Sequence, residues 1–344
     1  MKYMIGYQIR QDDGFVREII KNKDHIYEVY FSWADFPNGR NNQLRKEGFT
    51  PWEAQAKQMS DVALLSQNGL KLNLLLNGNC YGRNSQSREF FNKVGETVDF
   101  ISGNYGLQSV TTTSPLIAKF IHNNFEEIEV RASVNMSIGT VEGMDYMADV
   151  FDSFYMQREY NRNLEKIKEL KSWCDQNDKK LFMLANSGCL NNCSAHTFHD
   201  NLVSHESDIS AMDNGYDFQG ACWEYLSKAD KKEKYLSITN FVRPEDIHLY
   251  EHFFEAAKLA TRVNSNPVGV LNAYIKGKHS GNVMDLLEPN HSGVWYPYVV
   301  ENSKILDGFA EHVLNCDKNC FSCNYCKDIY EKAIINLEDI GSVK

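Results

Sequence analysis

Cysteine is the residue type whose placement in this sequence speaks first of chemistry. Cys189 and Cys193 form a C-x3-C pair, and Cys316, Cys320, Cys323 and Cys326 form a C-x3-C-x2-C-x2-C run. A thiolate is a soft anionic ligand, so both patterns suit an iron–sulfur cluster or zinc. Four thiols so close together match the coordination of a 4Fe-4S cluster or a structural zinc ion, and left free they would be open to oxidation. If the Cys189 segment starts a helix, residues four apart share a face and both sulfurs reach one centre. Cys222, beside Trp223, is a candidate third ligand. A fourth would come from the tail or from Cys80, or else the tail holds a metal of its own. The competing reading for any of these is simple packing, because cysteine is among the most buried residue types. Cys174, next to Trp173 in a helical pattern, is read that way.

His196, His199 and His205 follow Cys193 closely. His196 and His199 are candidates for proton transfer or substrate anchoring, set against an ordinary hydrogen-bonded structural role. Arg243 opens Arg-Pro-Glu-Asp. Pro244 suits a first helical turn and the two acids suit its positive end. The guanidinium could also clamp a carboxylate bidentately. Arg158 with Glu159, and Arg131 within a strand, are further residues that could line a site.

These residues need a scaffold. Short apolar runs at 3–9, 26–31, 72–76, 108–112, 129–134, 154–158, 180–184 and 235–239 read as strands, with helical stretches such as 52–66, 87–101, 161–176 and 244–262 between them. In the last, Leu249, Phe253, Ala256 and Ala260 would share a helical face. Eight strands alternating with helices predict an α/β fold. A (β/α)8 TIM-like barrel with room for distortion is preferred over an open doubly wound sheet, and its catalytic face lies at the strands' C-terminal ends. The barrel is placed at residues 1–263. An irregular and helical extension with the cysteine-rich tail occupies 264–344.

The chain has 344 residues, 36 Lys plus Arg against 46 Asp plus Glu, and a net charge of −10. That balance does not indicate nucleic-acid binding through bulk charge. Nine cysteines, an odd number, do not read as a secreted disulfide framework. No apolar run is long enough for a membrane span or a signal peptide, so a reducing cytoplasm is the expected compartment.

Three segments resemble the U32 proteins, often labelled peptidases. They are Ala132-Ser-Val-Asn135, Gln157-Arg-Glu-Tyr-Asn-Arg-Asn163 and Leu184-Ala-Asn-Ser-Gly-Cys-Leu-Asn-Asn-Cys193, in the family's order and spacing across roughly residues 100–200. The resemblance implies a barrel-like fold and an oxygen-sensitive 4Fe-4S cluster held by four cysteines. Several members act as oxygen-independent hydroxylases on ubiquinone precursors, transfer RNA or ribosomal RNA, with prephenate as the proposed oxygen donor, and some work in pairs. For this chain it implies an iron–sulfur hydroxylase or related redox transferase acting on a small molecule or RNA, with a small acidic co-substrate and a partner subunit as expected companions. Cys189 and Cys193 carry over as ligands. The remaining ligands depart from the family's spacing, and the C-terminal run is not a general family feature. Its first three cysteines match the C-x3-C-x2-C of radical S-adenosylmethionine enzymes. There, however, the triplet follows the first strand, and here Ser322 precedes the third cysteine. The alternatives are a zinc-stabilised hydrolase or peptidase and a non-catalytic accessory subunit. The sequence has no G-x-S-x-G elbow and no HExxH signature.

Overall fold

Short runs dominated by apolar residues make the parallel strands, and the helices between them start at well-capped residues. The computed structural model describes residues 1–33, 36–40, 48–213, 215, 218 and 220–341. The strands are β1 (Lys2–Gly6), β2 (Ile26–Ser32), β3 (Leu72–Leu76), β4 (Leu107–Thr112), β5 (Glu129–Ala132), β6 (Ser153–Tyr155), β7 (Lys180–Leu184) and β8 (Ala256–Leu259). They close into one barrel in sequence order, β8 pairing back onto β1. The expected (β/α)8 architecture is therefore the one the chain adopts. Ser87 and Ser114 cap the helices Arg88–Tyr105 and Pro115–Asn124, and Thr50 with Glu53 forms a capping box on Pro51–Gln67.

Two elements differ from the sequence reading. Residues 235–239 are not the eighth strand: Tyr235–Ile238 is a helical turn. Residues 244–262 are not one helix: a 3-10 turn, Pro244–Tyr250, leads to β8. The physical reason is the ambiguity of short apolar runs, which suit either state. β8 is Ala-Ala-Lys-Leu, with no β-branched or aromatic residue to mark it. Ala256 therefore lies in a strand, not on a helical face with Leu249. Regular structure also continues past residue 264, where Pro267–Lys276 forms a helix packed against Gly14–Lys21.

The lumen is partly polar. Met4, Tyr30, Leu75, Tyr155, Phe182 and Leu184 fill it from five of the strands. Arg131 points inward, 2.5 Å from Glu28, with both side chains almost wholly buried. It also reaches Glu129 at 2.7 Å and donates to Ser153 Oγ at 3.0 Å. A buried charge persists only when paired and hydrogen-bonded in this way.

Beyond Lys276 the chain runs back across the barrel mouth as a strap. Glu288 forms a bridge with Ser187, and Gly188 N–H donates to the Glu288 carbonyl. The tail is then anchored twice. β9 (Tyr298–Val300) pairs antiparallel with β10 (Ile334–Asn336), and Trp295 Nε1 donates to Tyr330 Oη at 3.0 Å.

Candidate functional site at the barrel mouth

The turn after β7 is built by Asn186, whose buried amide ties three segments together. Its Nδ2 donates to the carbonyls of Ala260 and Leu286, and its Oδ1 accepts from Ala260 N at 2.6 Å. Gly188 is required by close approach: a Cβ there would stand 2.2 Å from the Pro289 carbonyl oxygen. Cys189 emerges from this turn. Arg158 Nη1 donates to Cys189 Sγ at 3.3 Å, and Arg158 Nη2 donates to Asn135 Oδ1 at 3.1 Å. The three segments that carry the family resemblance therefore meet in one hydrogen-bonded set, Asn135, Arg158 and Cys189.

Cys193 and Cys222 line one cavity of about 280 Å³ together with Tyr225 and Ile238. Burial, then the nearby Cys189 and Cys193, push the Cys222 thiol up to about 11. Cys189 and Cys193 are thus near enough to Cys222 to act on its charge, while Cys193 and Cys222 share a cavity wall. Cys80 lies after β3, its backbone N–H donating to Ser204 Oγ. Cys174 is buried, 3.9 Å from Met144 Sδ. All nine cysteines are free thiols. Among the described residues, no three His, Cys, Asp or Glu side chains already converge in metal-holding geometry.

His196 Nε2 stands 3.3 Å from a carboxylate oxygen of buried Asp200, without a hydrogen bond. Burial first, then Arg158, push its pKa down, while Asp200 pulls the other way. His199 is likewise lowered by burial, and its ring lies 5.8 Å from that of Phe218. Arg243 is placed differently from the expected clamp. Its Nε and Nη2 bind both oxygens of Asp246 at 2.7 and 2.9 Å, and its Nη1 donates to the Ile305 carbonyl. The bidentate face is already filled by the protein's own carboxylate.

Other residues of this end were not singled out by sequence. Arg40 pairs with buried Glu288 at 2.6 Å. Arg262 Nη1 donates to Asn38 Oδ1. Lys258 is buried, its Nζ 4.1 Å from the Tyr30 ring centre and 4.9 Å from that of Tyr155. Burial first, then Arg262, hold its ammonium well below the ordinary lysine range. His291, on the strap, is fully buried, and burial pushes it down to about 4, leaving a neutral imidazole at pH 7.

The four tail cysteines line one cavity of about 330 Å³, again with Tyr225 and Ile238 in its wall. The two cysteine groups are therefore neighbours.

Fold and mouth define a TIM-type barrel with cysteines gathered at the C-terminal ends of its strands. No protein-family model matches the chain. An uncharacterized protease of Methanocaldococcus jannaschii, MJ1657, is 27% identical over 325 residues, covering 91% of this chain and 90% of that protein. The structure of the U32 peptidase Mk0906 superposes with a TM-score of 0.55 at 13% identity, over 75% of this chain and 91% of that one. The resemblance to the U32 family read from the three segments is borne out by these findings. No helix among the described residues is long and apolar enough to cross a membrane.

Proposed function

We propose that this chain is an iron–sulfur enzyme of the U32 type, an oxygen-independent hydroxylase or related redox transferase with a small acidic co-substrate. The observation that carries the reading is the Asn135–Arg158–Cys189 set beside Cys193 and Cys222. Three free thiols lie at this end of the barrel, one of them held by a guanidinium, and soft thiol donors of this kind suit a cluster. Cys189, Cys193 and Cys222 would hold it, and when bound it supplies an electron-transfer and Lewis-acid centre. The chain's own residues do the rest. Arg158 and Arg262 bring positive charge to the mouth of an otherwise acidic protein, which favours an acidic ligand. His196, neutral at pH 7 because its pKa is lowered, can accept a proton there. Anaerobic purification should give a brown protein containing iron and sulfide, with both reduced in Cys189→Ala. A colourless, zinc-loaded protein that cleaves peptides in air would overturn the reading in favour of the protease and peptidase wording of its relatives.

The tail is a second thiolate site on this reading. Its flanks are fixed by the β9–β10 pair and the Trp295–Tyr330 bond, so metal is not needed to attach it. Cys320 and Cys323 are exposed and would alkylate rapidly if unligated. In protein purified anaerobically, peptide mapping after iodoacetamide should find both protected, then modified once a chelator is added. Immediate modification before chelation would exclude a tail metal.

A further inference from the structure

Lys258 is the only charged residue of β8, and its Nζ makes no hydrogen bond or ion pair among the described residues. In register it lies opposite Met4 and Leu184. Phe182 is two residues nearer the strands' N-terminal ends, and Tyr30, across from Gly6, is two residues nearer the mouth. The lower side is sealed: Phe182 and Arg131 are 0% and 1% exposed, with the guanidinium 4.5 Å from the ring centre. Lys258 keeps 6% of its surface accessible, against 0% for Met4 and 1% for Tyr155. In a closed barrel with that floor, the accessible part faces the mouth. The amine stands 4.1 Å from the Tyr30 ring centre, and the Arg262 guanidinium lies 5.9 Å from the same ring centre. A lysine amine is a nucleophile only without its proton, and desolvation beside another cation is an arrangement that removes it. Burial and Arg262 supply both here. Catalytic groups in this fold come from the C-terminal ends of strands, and Lys258 is the next-to-last residue of β8.

We propose that Lys258 binds a small acidic carbonyl compound covalently, as an imine, at the top of the lumen. This names the reactive group of the acidic co-substrate and rests on that part of the proposed function, but it needs no cluster. The Lys258 nitrogen adds to the carbonyl carbon. The carbonyl oxygen takes up both amine protons and leaves as water, so that a C=N bond replaces C=O and no oxidant or reductant is consumed. Arg262, whose charge acts most strongly on Lys258, draws the acidic group to the same place. Such an imine divides a difficult step at the bound carbonyl into two easier ones.

The test treats the full-length protein, purified anaerobically, with limiting glyoxylate, a very small carbonyl compound that carries a carboxylate. Cyanoborohydride then reduces any imine to a stable amine, and the modified lysines are mapped by mass spectrometry. Lys258 should be modified ahead of exposed lysines such as Lys21 and Lys180. That preference should vanish in urea-unfolded protein and be weaker with acetaldehyde, which is of similar size but lacks the acid. Lys258→Met should lose this adduct and keep those at the surface. Modified surface lysines with none at Lys258 overturn the proposal, as does an equal preference in folded and unfolded protein. Equal trapping of acetaldehyde and glyoxylate at Lys258 overturns the acidic class. Iron and sulfide are measured on the same sample: an adduct without iron overturns the iron–sulfur reading alone, and iron without an adduct overturns the imine alone. If Lys258→Met fails to fold by circular dichroism, the map of the parent protein still decides.

Discussion

Lys258 shows how a single side chain can be prominent in space and silent in sequence. In a presumed helix it would be one more solvated cation. In β8 it points with Ala256 into the lumen, beneath Arg262 and between two tyrosine rings. Its folded pKa lies below the unfolded one, so it costs stability at neutral pH and ceases to do so above the ordinary lysine range. Lys258→Met should therefore be more stable than the parent at pH 7, by roughly 1–4 kcal/mol on the scale of buried charges replaced by apolar groups. Urea titrations should show the gap closing toward about pH 10, the unperturbed lysine range. A destabilised variant at pH 7 would show that the ammonium is held by favourable contacts after all. By contrast, the position of Cys189 and Cys193 just after a strand was legible, because the apolar run before them reads as β7. His291 was not: nothing in Pro-Asn-His-Ser marks a buried imidazole packed beside Trp223 and Tyr235.

Seven of the eight barrel strands were legible as elements, since each has aliphatic or aromatic residues in a short run. β8 failed because its residues favour no state, and the Tyr235–Ile238 run took its place in the count. The barrel was thus inferred with the right number of strands and one wrong member. That error also misplaced Arg243, which seemed to follow the last strand and in fact follows a helical turn. The turn at residues 186–188 and the strap depend on one another through backbone contact. Gly188→Ala would put a methyl against the Pro289 carbonyl, and overpacking of this kind costs ~1–3 kcal/mol. We expect a matching fall in denaturation midpoint and, on the proposed iron–sulfur reading, less iron retained per chain because Cys189 shifts with the turn. An unchanged midpoint would mean that the strap yields freely.

The barrel as a closed unit is tied by charge as well as by strand pairing. Glu129 touches Arg131 at 2.7 Å and Lys180 at 2.7 Å, linking β5 to β7, while Arg131 reaches across to Glu28 on β2. Burial works against the Glu129 carboxylate, but Arg131, Lys180 and Ser153 together outweigh it and hold the pKa down to about 2. A depressed folded pKa gives stability that is present above the unfolded value and lost as pH falls through the folded one. Stability should accordingly decline from about pH 4.5 toward pH 2, and Glu129→Gln should flatten that part of the profile in acid titrations followed by circular dichroism. An equally steep profile in the variant would place the acid sensitivity elsewhere.

The strap carries a consequence for the order of events during synthesis. Asn186 finds its Leu286 carbonyl 100 residues later, and His291 follows later still. A ribosome therefore delivers Cys189, Cys193 and Cys222 well before the segment that finishes their surroundings. Until then the turn before Cys189 lacks the backbone partner and the packing it has in the finished fold. Completion of the mouth is in this sense a timed event: a chain halted before residue 282 would have these three cysteines but not yet the strap that pins the turn before Cys189.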